Sequence, residues 1–135
     1  MSADVAYLDS SAFVKLIVQE PETEALQNYL QKWPRHTSSA LLYAETIRAV
    51  WRLGSASIQL ARARLDQLSL ITIDRDILST AAMAQPSTLR TLDAIHLASA
   101  LAIGPDLGTL ISYDQRLNLA ATELGITIAS PTGLG

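Results

Sequence analysis

Four carboxylates are placed where they could act together: Asp9, Glu45, Asp93 and Asp114. Asp9 and Asp114 each follow a short apolar run. Asp93 enters an alanine-rich apolar stretch, and Glu45 lies inside an amphipathic series. Four acids in one cleft would repel one another unless a cation held them. Carboxylate oxygens suit hard ions such as Mg²⁺ or Mn²⁺. A divalent ion held in this way activates water and offsets charge on a phosphodiester, so no protein nucleophile is required.

Each acid also has a plainer reading. Asp9 and Asp114 have the positions of helix caps, favoured by the helix dipole. Glu45 has Arg48 three residues on, the spacing of a surface ion pair. Asp93 resists such a reading, because it would carry an unpaired charge into a buried helix.

The elements that would position these residues follow from apolar periodicity and turn signals. Residues 5–8 read as a strand ending at the acidic turn Asp9-Ser10-Ser11, after which Phe13, Leu16 and Ile17 recur at helical spacing. Pro21 has the place of a first helical residue for a helix continuing over 24–32, and 36–38 reads as a second strand. After Ser39, the series Leu42, Tyr43, Ile47, Val50 and Trp51 marks a helix that stops at Gly54.

Ser57 then has the place of a cap for a helix to Leu68. Residues 70–73 are a β-branched strand, followed by Asp74 and a helix over 75–84. Thr91 is the expected cap of a buried helix over 92–103. Residues 109–112 form a strand, Asp114 opens another helix, and 127–129 form a last strand. Alternating strands and helices point to an α/β sandwich, its mostly parallel sheet covered by helices on both faces. In such sheets ligands bind beyond the carboxyl ends of the strands.

Composition bounds the possibilities. A length of 135 residues with 49% hydrophobic residues suits a single domain over 1–135. The net charge of −3 is the wrong sign for gripping nucleic acid by bulk electrostatics. Two bound divalent ions would add +4 and bring −3 to +1, so the charge objection is itself tied to the metal. The absence of cysteine excludes disulfides, thiolate zinc sites and cysteine nucleophiles. Residues 1–8 carry Asp4 and no basic residue, unlike a signal peptide, and no apolar run approaches the roughly 18 residues of a membrane span. A soluble, cytoplasmic protein with no membrane partner is expected.

Tyr7-Leu8-Asp9-Ser10-Ser11-Ala12, Glu45 in a helix after Ser38-Ser39, Leu92-Asp93-Ala94-Ile95-His96-Leu97-Ala98, and Ser112-Tyr113-Asp114-Gln115-Arg116-Leu117 resemble the four acidic motifs of PIN-domain ribonucleases. More narrowly, they are similar to VapC-type toxins of prokaryotic toxin–antitoxin pairs, over nearly the whole chain. The resemblance implies a PIN-like three-layer sandwich with a central five-stranded sheet and Mg²⁺-dependent endoribonuclease activity, the toxin part of a type II pair. It also implies an RNA substrate, a cognate antitoxin and a homodimer.

By position, Asp9, Glu45, Asp93 and Asp114 would be the catalytic, metal-binding acids, and Ser11 and Ser112 hydroxyl donors that orient carboxylates. Tyr113 stands where the family commonly has a smaller residue.

Around the acids, Glu45, Arg48 and Arg52 fall within about 60° on a helix, which makes the two arginines the first candidates for RNA phosphates, ahead of Arg90 and Arg116. His96 reads as a hydrogen-bonded core residue outside the site. Tyr43, Trp51 and Trp33 have either stacking or core roles, and Asp74 and Asp76 read as helix-start acids.

Three rival functions fit less well. A phosphorylated receiver domain needs adjacent acids after the first strand and a lysine after the last. A haloacid-dehalogenase-like phosphatase needs Asp where Ser11 stands. A catalytically inactive PIN-like module that only binds RNA or protein is opposed by the complete set of four acids.

Overall fold

The computed structural model describes residues 3–133. Its central strand, β1 (Val5–Leu8), is buried at all four positions, as a parallel strand covered on both faces must be. Beside it lie β2 (Arg35–Ser39), β3 (Ser69–Ile71), β4 (Leu107–Ile111) and β5 (Ile128–Ala129), in the order β3-β2-β1-β4-β5. Every neighbouring pair is parallel. The connections carry α1 (Ser10–Phe13), α2 (Thr23–Leu30), α3 (Leu41–Val50), α4 (Ser55–Leu65), α5 (Arg75–Ala82), α6 (Thr91–Ala102) and α7 (Gln115–Glu123).

Alternation along the strands divides the interior into two layers. Ala6 and Leu8 of β1 and Ile111 of β4 face a cluster with Phe13, Leu26, Leu30, Leu42 and Leu65. Tyr7 and Leu110 point the opposite way, onto Leu97 and Ala100 of α6 and Leu117, Ala120 and Ala121 of α7. A one-residue slip of β1 would exchange these faces, so the register is strongly specified. Among the described residues no helix is long and apolar enough to cross a membrane.

Several element ends differ from the expectation. Pro21 lies in a turn before α2 rather than within it. Arg90, with extended backbone, takes the cap position of α6, and Thr91 is its first helical residue. Gly54 replaces Ser57 at the start of α4; its φ of +98° is open to glycine without a Cβ penalty. The third strand ends at Ile71, and the fourth begins at Leu107 inside the expected turn. There Gly108 is required, since a Cβ would collide with the Trp33 ring and the Ala3 carbonyl oxygen. Trp33 thus serves the core, whereas Trp51 is 64% and Tyr43 43% exposed.

From β1 the chain moves outward through β2 to β3, then returns to β4 on the other side of β1. The sheet therefore changes direction between β1 and β4, which in open parallel sheets opens a crevice at the carboxyl ends. Asp9 and Asp114 follow the two strands that flank it.

Candidate active site

The pairing of Leu8 with Ile111 brings the next residues, Asp9 and Ser112, side by side. Asp9 N–H donates to the Ile111 carbonyl at 3.2 Å. The Asp9 carboxylate then caps α1: Oδ1 accepts from Ala12 N–H at 3.0 Å and from Ser11 Oγ at 2.7 Å. Oδ2 accepts from Ser112 Oγ at 2.6 Å. Two carboxylate oxygens offer about four lone-pair sites, so these three bonds leave one for a further ligand. Asp9 is only 2% exposed; burial pushes its carboxyl above the usual range, while the Ser112 and Ser11 hydroxyls pull it back.

The two hydroxyls do more than orient one acid. Ser112 Oγ accepts from Asp114 N–H at 3.0 Å, and Ser11 Oγ from Tyr113 N–H at 2.9 Å, joining the loops after β1 and β4. Ser112 stands beside the fourth acid in sequence, yet its own proton goes to the first. Tyr113 fits because its hydroxyl donates to the Pro131 carbonyl at 2.6 Å and its ring lies 4.7 Å from Lys15 Nζ.

Asp114 is the N-cap of α7, with Oδ1 accepting from Arg116 N–H at 2.9 Å and Leu117 N–H at 3.1 Å. Capping occupies one oxygen and leaves the other free of hydrogen bonds among the described residues. The capping reading and the site reading of Asp9 and Asp114 are thus compatible. Asp74 caps α5 through Ile77 N–H, and Asp76 lies in that helix's first turn.

Asp93 lies within electrostatic reach of the other three acids. It is half-buried, and its carboxyl is pushed up first by desolvation, then by the charges of Asp114 and Asp9, with Glu45 adding to them and His96 opposing. With Asp114 it lines a cleft of about 380 Å³, together with Arg90, Gln115 and Arg116.

Glu45 makes no ion pair with Arg48. Its Oε1 accepts from His96 Nε2 at 2.6 Å, and Oε2 accepts from Ser10 Oγ at 3.4 Å. His96, 1% exposed, completes a chain through Nδ1 to Tyr7 Oη at 2.7 Å. The expectation of a hydrogen-bonded core histidine holds, but one of its partners is a site acid. The available sequence signal was its place three residues after Asp93, on the same side of a helix.

Arg48 and Arg52 line a separate hollow of about 660 Å³ with Ile47, Ala49 and Trp51, and none of the four acids lines it. Arg90 and Arg116 are the arginines that share a cleft with Asp93 and Asp114.

The donor chemistry suits a hard divalent cation: four carboxylates, of which Asp93 is held against the charge of the other three, and free acceptor sites on Asp9 and Asp114. Among the described residues no three acids or histidines are drawn tightly enough to enclose an ion. Coordination would require side chains to close inward.

Residues 6–123 match the PIN domain family. The chain is 46% identical over 126 residues to Ribonuclease VapC46 of Mycobacterium tuberculosis, covering 93% of this chain and 97% of that protein. Among solved structures it resembles a chain of a toxin–antitoxin complex from Klebsiella pneumoniae, with TM-score 0.73, 21% identity, and coverage of 93% and 97%. It also resembles Mycobacterium tuberculosis VapC20, described as a Sarcin-Ricin loop cleaving toxin, with TM-score 0.73, 17% identity, and coverage of 93% and 99%.

Proposed function

This chain belongs to the PIN domain family, and from that premise we propose that it is a Mg²⁺-dependent endoribonuclease, with Mn²⁺ able to substitute, acting as the toxin of a type II toxin–antitoxin pair. The observation that carries the reading is the meeting of the acids at one sheet edge: Ser112 Oγ ties the Asp9 carboxylate to the backbone of Asp114, and Asp114 shares a cleft with Asp93. Asp9, Glu45, Asp93 and Asp114 would hold the ion, which when bound supplies activation of water and charge neutralisation at the phosphate.

The remaining work falls to the chain's own residues. Ser11 and Ser112 hold Asp9 in one orientation through both its oxygens. Arg90 and Arg116, which line the cleft of Asp93 and Asp114, would bind RNA phosphates there, ahead of Arg48 and Arg52. This local pair of cations answers the objection raised by the net charge of −3.

Arg48 and Arg52 belong to a different surface. Trp51, Leu53, Tyr43 and Leu60 are exposed along α3, the turn after it and α4. The hollow that Arg48 and Arg52 line with Ile47 and exposed Trp51 combines apolar and basic side chains, which suits an acidic amphipathic segment, and it is there that the antitoxin would bind. RNA substrate and antitoxin meet the protein in the cytoplasm.

The test is cleavage of end-labelled RNA by purified protein in Mg²⁺, Mn²⁺ and EDTA. Cleavage with either metal and none in EDTA is expected, leaving 5′-phosphate and 3′-hydroxyl ends because water is the nucleophile. Products ending in 2′,3′-cyclic phosphate would refute the mechanism. RNA binding without cleavage in any metal would make the protein a binding module.

A further inference from the structure

Tyr7, His96 and Glu45 form a side-chain relay across three elements. Tyr7 stands two residues before Asp9 on β1, His96 one turn after Asp93 on α6, and Glu45 is the acid of α3. Both links are short, 2.7 Å from Tyr7 Oη to Nδ1 and 2.6 Å from Nε2 to Glu45 Oε1. Tyr7 and His96 are almost wholly buried, so their polar atoms have no water to turn to.

The direction of the relay follows from the partners. A carboxylate only accepts, so Nε2 must carry a hydrogen. The buried Tyr7 hydroxyl needs an acceptor. Ser38 Oγ and Ser99 Oγ donate to the Leu8 and Ile95 carbonyls at 2.6 and 2.7 Å, so neither has a proton left to give Tyr7, and among the described residues neither makes a hydrogen bond with Tyr7 Oη. Nδ1 is the acceptor facing Tyr7 Oη.

We infer that His96 is a positioning residue, set in its Nε2–H tautomer by Tyr7, which holds Glu45 by Oε1 so that Oε2 alone is offered to the turn after β1, where Ser10 Oγ meets it. Resting on the metal reading above, this adds a cause for the conformation of Glu45. A glutamate on a helix has three free side-chain torsions, and no cap or strand register constrains it as Asp9 and Asp114 are constrained. One charge-assisted bond from an imidazole that is itself fixed at both nitrogens removes most of that freedom. The remaining bond to Glu45, from Ser10 Oγ at 3.4 Å, is too long to do so alone.

Mn²⁺ affinity by calorimetry tests the inference on the wild type, Glu45→Gln, Tyr7→Phe, His96→Leu and His96→Gln, each also melted in EDTA to confirm folding. Tyr7→Phe and His96→Leu are expected to weaken Mn²⁺ binding by about 10–100-fold, as loss of a residue supporting a ligand does. His96→Gln, whose amide nitrogen can stand near the Nε2 position, is expected to recover much of that loss. Wild-type affinity in folded Tyr7→Phe and His96→Leu, alongside loss in Glu45→Gln, would overturn this inference and leave the metal site standing.

Absence of Mn²⁺ binding by the wild type would instead overturn the metal reading, and this inference with it. If His96→Leu does not fold, Tyr7→Phe carries the test, since it removes a single oxygen. A ¹⁵N spectrum of the imidazoles gives a check that needs no metal: His96 should appear as the Nε2–H tautomer, with the His36 signals assigned through His36→Gln. An Nδ1–H tautomer at His96 would refute the relay.

Discussion

Replacing Asp93 by Asn separates a converging acidic site from a set of unrelated helix caps. The change removes one charge and nearly preserves shape. Two opposing effects act on the charge it removes. As a first-turn acid of α6, Asp93 gains about 0.3–1 kcal/mol from the helix dipole. Against that stand partial desolvation and three like charges, Asp114, Asp9 and Glu45, each pair worth roughly 0.2–1 kcal/mol after screening at a half-exposed position. Three pairs outweigh one dipole, in keeping with a carboxyl held above its ordinary value.

The sign follows. A raised folded-state value means that ionised Asp93 costs stability above that value, and the cost is relieved as pH falls through it. Asp93→Asn should therefore hold or raise the melting temperature in EDTA at neutral pH. Metal reverses the comparison. With Mg²⁺ at about 100 times its dissociation constant, the wild type gains about 2.7 kcal/mol by linkage. A variant tenfold weaker in affinity gains about 1.4 kcal/mol under the same conditions. For a chain of this size the difference of about 1.3 kcal/mol corresponds to roughly 4–6 °C in melting temperature. Scanning calorimetry of both proteins, each with EDTA and with Mg²⁺, reads all four values. Equal destabilisation of the variant in both conditions would refute the reasoning and reduce Asp93 to a first-turn acid.

Replacing Arg90 and Arg116 together by Ala should weaken RNA binding and lower the slope of log affinity against log salt by about 1.4, two phosphate contacts to a single strand, which a binding series between low and moderate salt will show. Alanine at Arg48 and Arg52 should leave that slope unchanged and weaken antitoxin binding instead; the opposite pattern would restore those two to the RNA path. Ser112→Ala removes a hydroxyl donor from buried Asp9, costing about 1.5–3 kcal/mol in denaturant unfolding. It also pushes the Asp9 carboxyl further up, so less of it is ionised at a given acidic pH, and the acid limb of the pH–rate profile should move to higher pH. Gly108→Ala forces a methyl group against Trp33 and the Ala3 carbonyl, and should cost about 1–3 kcal/mol of stability measured by thermal melt.

What the sequence determined by itself is what short-range physics controls. Apolar runs closed by acids located the first, third and fourth strands, and Asp9, Asp74 and Asp114 could be assigned as helix starts because a cap acts on backbone groups two or three residues away. Gly54 ended its helix for an equally local reason, and the acidic motifs were legible through the family they resemble. Element ends at Pro21, Thr91 and Ser57 were misplaced by a few residues, since several neighbouring residues can serve as a boundary and packing chooses among them.

Only the tertiary structure decided which distant groups touch. The pairing of Leu8 with Ile111 put Ser112 on Asp9, across 103 positions of chain, in place of a bond confined to the fourth motif. Helical angle alone grouped Arg48 and Arg52 with Glu45, because a wheel describes one helix and is silent about what stands beside it. In the fold those arginines face another hollow, while Arg90 and Arg116 share the cleft of Asp93 and Asp114. His96 gave no local sign of its reach to Glu45, 51 positions away. A hydrogen bond is decided within about 3 Å, and its partners come that close only when strand register and helix packing have set several elements at once.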